Sequence, residues 1–276
     1  MASTSKSRKT KHIIYYVVMI LICMMYLVPM YMAFITSLKA RADINLLTAW
    51  KFPTHPTAIG YQHAITKLAP YLRNSFVLTI SGTVISAFVG AINGYIFSKN
   101  KFKGSELVFT LMLFGMFIPY QIILIPLFDT LRRLNMAGLN GLILAHVVYG
   151  IPIVTMLFRN FYDQIPNSIL ESGRIDGASY FTIFTKLILP LSVPSFVVVG
   201  IWQFTQIWNE FLWAICLTSQ ETNPITVGLS QLAGGQAVAW NDSMAGAIIS
   251  AIPVLCIYIF LGKYFVQGLL AGSVKE

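Results

Sequence analysis

The chain alternates long apolar runs with short polar segments. Six runs reach the length of about 20 residues that an α-helix needs to cross the hydrocarbon core of a bilayer. These runs are residues 13–38, 74–97, 105–128, 141–160, 192–218 and 244–266. They lack the ten-residue alternation of a transmembrane barrel, whereas a helix satisfies its own backbone hydrogen bonds in lipid. The pattern predicts an all-α membrane protein with six transmembrane helices and both termini on one side.

Composition agrees with this prediction. Of 276 residues, 56% are hydrophobic and 11% are charged, and the mean hydropathy is +0.70, which excludes a soluble domain with an ordinary charged surface. The net charge is +9, but the basic residues lie beside the apolar runs, so anionic lipid is favoured over nucleic acid as their partner. Cys23, Cys216 and Cys256 lie in three separate runs and predict neither a disulfide nor a metal site.

Lysine and arginine predict the orientation of the chain, because they are retained on the cytoplasmic side. With the N-terminus inside, 12 of the 19 basic residues lie in cytoplasmic segments. These are Lys6, Arg8, Lys9, Lys11, Lys99, Lys101, Lys103, Arg159, Arg174, Lys186, Lys263 and Lys275. We therefore expect both termini inside, with a basic tail at 1–11, one transmembrane domain over 12–276 and a cytoplasmic tail at 267–276.

A polar segment at 159–190 separates the fourth and fifth runs. It holds six charged residues, each costing about 2.5–3.5 kcal/mol at the bilayer centre, so it lies outside the membrane. Pro166 suits the first turn of a short helix and Gly177 suits its left-handed C-terminal turn. Ser179 then caps a second helix that ends before Pro190. Periodicity alone leaves open whether this helix pair docks a partner or rests on the membrane surface.

In this segment Glu171, Gly177, Leu187, Leu189 and Pro190 follow the spacing E, five residues, G, nine residues, L-x-LP. The spacing resembles the EAA loop of bacterial ATP-binding-cassette (ABC) importer permeases, which reads EAA, three residues, G, nine residues, I-x-LP, with leucine at 187 in place of isoleucine. Ser172 and Gly173 replace the two alanines that are usual in this motif. By the resemblance, the ATPase-coupling residues are Glu171, Ser172, Gly173, Arg174, Asp176, Gly177, Leu189 and Pro190.

The likeness extends over essentially the whole chain. The stretches IPNSILESGRIDGAS, WNEFLWAICLT at 208–218 and GLLAGSVKE at 268–276 resemble the smaller permease of the carbohydrate importers typified by maltose transport. The last is similar to that family's GLTAGxVKG tail, which reaches between the ATPase subunits, although Glu276 replaces the final glycine. The tail residues implied to contact the ATPase are Gly268, Ala271, Gly272, Val274 and Lys275.

The resemblance implies a type I ABC importer permease fold in the inner membrane of a bacterium or archaeon. It also implies a heterodimer with a second related permease, two ATP-binding subunits and an extracytoplasmic sugar-binding protein. The sequence has no GxxxxGK[ST] phosphate loop, so we expect no cofactor on this chain, with ATP and Mg²⁺ on the separate ATPase. Residues 219–243 match the outer loop that enters the binding protein in maltose-type systems, although a solvated connector remains open.

Four residues of the fifth run predict a possible sugar path. Trp202, Gln206, Asn209 and Trp213 lie at i, i+4, i+7 and i+11, which places them on one face of a continuous helix. Aromatic rings cover sugar C–H surfaces and amides bond sugar hydroxyls. Helix packing explains the same residues, and in the maltose-type relatives the sugar site lies mainly in the other permease.

Two ionisable residues within apolar runs, His146 and Glu210, leave a second function open. An intramembrane carboxylate and imidazole suit proton coupling, so the alternative is a six-helix half of an ion-coupled secondary transporter. The GxxxG pattern of Gly90 and Gly94 permits close helix approach, and we expect it to pack within this bundle.

Overall fold

A computed structural model describes the backbone of residues 2–234 and 238–271, with side chains described from residue 12 to 264 around the same gap. Every regular element in these ranges is helical, which confirms the predicted all-α class. The helices are α1 (Ala2–Ser37), α2 (Ile59–Lys99), α3 (Ser105–Phe114), α4 (Leu124–Arg133), α5 (Leu139–Asp163), α6 (Asn167–Ile175), α7 (Tyr180–Ile183), α8 (Leu189–Leu191), α9 (Val193–Asn209), α10 (Leu212–Leu217), α11 (Ile225–Ala233) and α12 (Trp240–Ala271).

The helices differ in whether they are long enough to cross a bilayer. Four apolar helices of the described chain qualify, at His12–Ser37, Ile59–Lys99, Leu139–Asp163 and Trp240–Tyr264. A fifth span results if Tyr180–Leu191 and Val193–Asn209, which meet at a 72° bend, are counted together. The third predicted run contains only a shorter apolar helix, Ser105–Phe117.

The third run is not one continuous helix. Pro119 and Pro126 predict kinks in it, and the structure has a complete break at the first of them. After α3 and a 3₁₀ turn at Gly115–Phe117, Ile118 adopts an extended conformation with ψ 115°. Pro119 follows it, and a residue before proline is driven out of the helical region. Helix α4 then begins anew at Leu124, so the backbone is non-helical between the two helices.

Helix α2 begins earlier than its apolar run predicts. The run suggests a start near residue 74, whereas the helix starts at Ile59 and spans 41 residues, a length of about 60 Å. Much of the segment between the first two apolar runs, residues 39–73, is therefore helical, and the rest contains 3₁₀ turns at Arg41–Asp43 and Leu46–Thr48. The apolar pattern fails to show this extension because residues 59–73 are mixed polar and apolar.

The chain forms two compact units, one comprising residues up to 68 and 229–250 and the other 69–228 and residues from 251 onward. The prediction of a single transmembrane domain stays a prediction. In the first unit, Asp242 is buried, with His63 Nδ1 at 3.4 Å and Lys67 Nζ at 3.6 Å from its carboxylate oxygens. Gly60 lies so close to Asn241 that a Cβ would be 2.9 Å from its carbonyl oxygen.

Among the described residues, the core of the second unit forms two clusters along α5. The loop-end cluster adjoins the C-terminal half of α5 and comprises Ala87, Ala91, Tyr95, Val154, Phe158, Tyr162, Leu170, Ile183, Ile188 and Val199. The cavity-end cluster adjoins the N-terminal half, and its name refers to a cavity that its members Ile207 and Trp213 line. It comprises Leu78, Leu131, Leu142, Ala145, Ile207, Trp213, Ala214, Leu217 and Val227.

Close packing of α2 against α5 supports the loop-end cluster. A Cβ on Gly94 would meet the Phe158 Cβ at 2.7 Å and the Arg159 backbone nitrogen at 2.9 Å, and one on Gly90 would overlap Val154. Only residues without a side chain allow the two backbones to approach this closely. The predicted packing of the GxxxG pattern inside this bundle is confirmed.

Candidate functional site

The first helix of the 159–190 segment ends in a tight turn at Gly177. The N–H of Gly177 donates to the Arg174 carbonyl and the N–H of Ala178 donates to the Gly173 carbonyl, both at 3.0 Å. Gly177 has φ +80° with open space around it. This pair of bonds is the Schellman motif, in which a left-handed glycine closes a helix C-terminus. The predicted turn is confirmed, and it requires glycine because of backbone conformation rather than crowding.

The second helix of the segment begins at the predicted residue but ends elsewhere. The Thr182 N–H donates to Ser179 Oγ at 3.2 Å, which confirms the predicted cap. Helix α7 continues through a π-helical turn at Phe184–Ile188 into α8. The prediction that the helix ends before Pro190 is wrong, because helical conformation runs without a gap from Tyr180 through Pro190 to Leu191. The chain bends by 72° only beyond Leu191.

The helix pair buries one face and exposes another. Gly173 is buried against the second helix, where a Cβ would lie 3.0 Å from Leu187 Cδ1. The exposed residues of the predicted coupling set are Glu171, Ser172, Arg174, Asp176, Gly177 and Pro190, while Leu189 is half-buried. Three apolar side chains are exposed beside them: Ile175 at 86%, Phe181 at 75% and Tyr180 at 63%. Exposed apolar side chains rimmed by charges are typical of a docking surface.

Polar contacts attach the end of α2 to the base of this helix pair. Ser98 Oγ donates to Asp163 Oδ1 at 2.6 Å. Lys99 Nζ donates to the Ile165 carbonyl at 2.7 Å and to Asn167 Oδ1 at 3.0 Å. Because Asn167 is the first residue of α6, the α2 terminus, α5 and the loop are held together.

A second attachment joins α3 to α5. The Arg159 guanidinium lies 2.8 Å and 2.9 Å from the two carboxylate oxygens of Glu106. It also lies over the Phe109 ring, 4.1 Å from the centroid. A guanidinium that pairs with a carboxylate and also stacks on an aromatic ring has a well-defined position. The loop end of α5 is thus fixed to two neighbouring helices.

The four residues of the predicted sugar path all line one cavity of about 350 Å³. The sequence analysis did not assign the other residues of its lining to a sugar path: Tyr120, His146, Tyr149, Gly150, Gln203, Ile207, Glu210, Phe211 and Leu212. The sequence analysis considers His146 and Glu210 for proton coupling, because they are ionisable residues within apolar runs. Nothing in the sequence distinguishes Tyr120, Tyr149 and Gln203 from ordinary packing residues.

The prediction that one continuous helix carries all four path residues is wrong for Trp213. Helix α9 ends at Asn209, Glu210 is extended with ψ 134°, and α10 begins at Leu212. Oxygens of the Glu210 carboxylate accept the Trp213 N–H at 2.6 Å and the Ala214 N–H at 3.0 Å. Glu210 therefore caps α10, as acidic side chains commonly do at helix N-termini.

The interrupted third run contributes backbone to the same cavity. Trp213 Nε1–H donates to the Tyr120 carbonyl at 3.1 Å, and the Tyr149 hydroxyl donates to the Ile118 carbonyl at 3.2 Å. The Trp213 indole is 2% exposed, with the rings of Tyr120, His146 and Tyr149 centred 5.9, 5.4 and 5.3 Å away. Trp213 is therefore a wall of the cavity rather than an open surface.

The open side of the cavity is more polar. Gln206 and Asn209 are exposed and Trp202 is half-buried. Behind them, Gln203 Nε2 donates to Ser86 Oγ at 3.2 Å and to the His146 carbonyl at 3.3 Å. His146 is 7% exposed, and its Nε2 lies 3.7 Å from Glu210 Oε2 without a hydrogen-bond partner among the described residues.

The predicted C-terminal contact falls largely outside this description. Gly268 and Ala271 lie in the last turns of α12, where the backbone is described. Gly272, Val274 and Lys275 lie outside the described residues. Within the described ranges, no group of three or more His, Cys, Asp or Glu side chains is placed to hold a metal ion.

Comparisons with known proteins identify the class of molecule. Residues 92–270 match the model of the family described as binding-protein-dependent transport system inner membrane component. The chain is 42% identical to a probable ABC transporter permease of Pyrococcus horikoshii, PH1216, covering 94% of this chain and 96% of that protein. It is 34% identical to the osmoprotective compounds uptake permease GgtD of Synechocystis, covering 95% and 91%. It is 30% identical to the xylose/arabinose import permease XacI of Haloferax volcanii, covering 97% and 95%.

A solved structure agrees with the fold. One chain of a bacterial ABC transporter involved in the import of the acidic polysaccharide alginate superposes with a TM-score of 0.81 at 22% identity, covering 94% of this chain and 98% of that one. The likeness supports the predicted type I importer permease fold. The chain belongs to the family of binding-protein-dependent transport system inner membrane components, as a multi-pass ABC importer permease rather than an enzyme.

Proposed function

We propose that this chain is one of two related permease subunits of an ATP-driven importer for a sugar or glycoside that an extracytoplasmic binding protein delivers. The observation that carries the proposal is the helix pair α6–α7, which presents a rigid exposed surface on a chain without a phosphate-binding loop of its own. Such a surface suits docking to a separate ATPase, where ATP and Mg²⁺ bind.

The geometry of the helix pair supports a coupling role. The Schellman turn at Gly177 and the buried contact of Gly173 fix the angle between its helices. A force on the exposed side chain of Ile175 or Phe181 therefore moves the helix pair as a rigid body, and the pair transmits this movement to α5 and α9. The coupling residues of this proposal are the eight that the resemblance implies: Glu171, Ser172, Gly173, Arg174, Asp176, Gly177, Leu189 and Pro190.

The substrate class follows from the relatives. The chain covers nearly the full length of a permease for xylose and arabinose and of one for osmoprotective compounds. Sugars and small glycosides are polyhydroxylated and neutral, and the aromatic and amide lining near Trp202 suits them. We therefore assign the chain to uptake of a sugar or glycoside.

The proposed assembly has a defined orientation. Both termini face the cytoplasm, with the α6–α7 pair and the C-terminal tail on the ATPase side and residues 219–243 on the side of the binding protein. The second permease completes the translocation path. The excess of basic residues in the predicted cytoplasmic segments supports this orientation.

The ion-coupled alternative rests on His146 and Glu210, whose Nε2 and Oε2 atoms lie 3.7 Å apart. The Glu210 carboxylate, however, caps α10. This capping role accounts for a carboxylate at this position without a proton-transfer function. Family membership also identifies the chain as a component of a binding-protein-dependent system.

Purification of the intact complex tests the proposal. The tagged chain would be extracted from its native membrane in mild detergent, and co-purifying proteins would be identified by mass spectrometry. The complex would then be reconstituted into liposomes with its binding protein and supplied with a panel of radiolabelled sugars. We expect a second permease, an ATPase subunit and uptake of a neutral sugar that requires internal ATP.

Collapse of ion gradients is the discriminating control. Uptake that persists after an ionophore is added but stops without ATP agrees with the proposal. Uptake that continues without ATP and stops with the ionophore would contradict it and restore the ion-coupled alternative.

A further inference from the structure

The cavity between α5, α9 and α10 has the size of a small-molecule site. Its volume of about 350 Å³ is near the lower end of the range for such sites, roughly 300–1,000 Å³. One sugar ring fits this space better than an extended oligosaccharide. The whole lining belongs to one compact unit of the chain.

Two interrupted helical runs meet at this cavity. Non-helical backbone at membrane depth is tolerated only where protein covers it or where it lines a water-filled cavity. Here the aromatic donors Trp213 and Tyr149 satisfy carbonyls of the third-run break, and Glu210 satisfies the N–H groups that follow the fifth-run break. Discontinuous helices also border substrate sites in other transporters. Here, however, the freed backbone groups bond protein side chains, and the polar side chains of the lining are what a ligand would contact.

A buried polar atom points independently to a ligand. His146 lines the cavity and is more than nine-tenths buried. Its Nε2 has no hydrogen-bond partner among the described residues and lies 3.7 Å from the Glu210 carboxylate. Buried polar atoms are rarely left unsatisfied, so a hydroxyl bound near Glu210 and His146 would complete this part of the site.

We propose that this cavity is a binding subsite for one neutral sugar ring, so that this permease contacts the transported substrate itself. The inference rests on the proposed sugar-import function. The Trp202 ring covers a C–H face of the sugar, and the amides of Gln206 and Asn209 bond its hydroxyls. Glu210 is the one formally charged side chain among the described residues of the lining. A uronate would place like charges together, so the subsite takes neutral sugars.

The test uses the complete transporter in liposomes with its binding protein and radiolabelled glucose, xylose, arabinose, maltose and glucuronate. Trp202→Leu and Gln206→Leu remove the ring and the amide from the cavity. Phe204→Leu and Thr205→Val are matched controls on the same helix. Phe204 stacks on Trp208 with centroids 5.5 Å apart and lines a separate apolar groove, and Thr205 Oγ1 bonds the Ile201 carbonyl of its own helix.

We expect Trp202→Leu and Gln206→Leu to lower kcat/KM for the transported sugar about tenfold and to change the ratio between two transported sugars. Both controls should stay within about twofold of the native protein, and all four variants should keep ATPase stimulation by the binding protein. A general packing defect would lower that stimulation without changing the preference between sugars.

Other outcomes separate the subsite from the proposed function. Sugar uptake that the two cavity variants leave unchanged would overturn the subsite while leaving the importer function in place. Glucuronate uptake as fast as uptake of the neutral sugars would overturn the neutral class. Failure of the native complex to import any sugar of the panel with ATP would instead count against the proposed function.

Discussion

The two ends of α5 are built differently. At the loop end, α2 and α5 approach through glycines, and Arg159, Ser98 and Lys99 add polar contacts to the neighbouring elements. At the cavity end, helices stop and restart, and side chains such as Trp213 and Glu210 satisfy the freed backbone groups. His146 and Tyr162, which mark the two ends, are 16 residues apart on one helix, or about 24 Å.

The difference separates two physical tasks. Closely packed helices move as one body, because packed interiors deform little. The broken helices border a cavity that polar side chains such as Gln206 and Asn209 line, an arrangement that suits a ligand site. In our account the loop end receives the ATPase movement, α5 carries it, and the cavity end responds to it.

The largest expected effect comes from separating α2 and α5. Gly94→Val places a side chain against the Phe158 Cβ and the Arg159 backbone, and backbone atoms cannot move aside easily. We expect destabilisation of about 3 kcal/mol or more, measured by thermal unfolding of the purified complex. Gly200→Val is the control, because Gly200 is also helical but has open space around it. Equal stability of the two variants would refute the close contact of α2 and α5.

A smaller effect is expected from the contacts at the α2 terminus. Lys99→Met removes the bonds to Ile165 and Asn167 and frees the base of α6. The lost hydrogen bonds contribute about 1 kcal/mol net to holding α6 against α2. Because a freed α6 transmits less of the ATPase movement, we expect the number of sugars imported per ATP to fall roughly fivefold. Exposed Lys103→Met is the control. The role of Lys99 would be rejected if both variants kept the native ratio.

At the cavity end, the cap of α10 gives a more local prediction. Glu210→Ala removes the acceptor for the Trp213 and Ala214 N–H groups and should cost about 1 kcal/mol. Glu210→Gln keeps an acceptor oxygen and should cost less. Hydrogen exchange at those two amides checks this directly. Equal protection in native and alanine proteins would show that Glu210 does not cap the helix.

The smallest effect is expected at Gly173, where the family usually has alanine. Gly173→Ala brings a Cβ to 3.0 Å from the flexible end of Leu187, while alanine favours helix over glycine by about 1 kcal/mol. These effects nearly cancel, so the thermal stability should change little, whereas Gly173→Leu should lower it clearly. A marked loss with alanine would mean that the contact between α6 and the second helix is tighter than described.

The sequence predicted some of these features well and others poorly, for physical reasons. The start of α5 and the turn at Gly177 follow from local signals, namely apolar length and a glycine placed just before the Ser179 cap. The break after Glu210 could not be predicted, because the apolar run continues through it and the capping bonds to Trp213 and Ala214 appear only in three dimensions. The four path residues still line one cavity, since α10 returns Trp213 to the side of the helix that holds Trp202.

The third run shows the same limit. Pro119 signals a perturbation, but the sequence does not show that Tyr149 and Trp213 satisfy the carbonyls exposed by a full break. Without those donors a kinked continuous helix would be the expected response. The apolar pattern also fails to predict that α2 begins at Ile59 rather than near residue 74. The reason differs, because residues 59–73 form a helix without a continuous apolar run.

The central claim is that ATPase movement enters through the turn at Gly177, and a matched glycine pair tests it most directly. Gly177 and Gly104 have φ of +80° and +88°, and both have open space around the position of a Cβ. Valine at either position therefore carries a similar backbone strain of about 1–2 kcal/mol. Only Gly177 lies in the coupling segment, so the measurement is sugar imported per ATP hydrolysed by each variant in liposomes. We predict that Gly177→Val loses most of its coupled uptake while Gly104→Val retains it; equal ratios in the two variants would contradict the account.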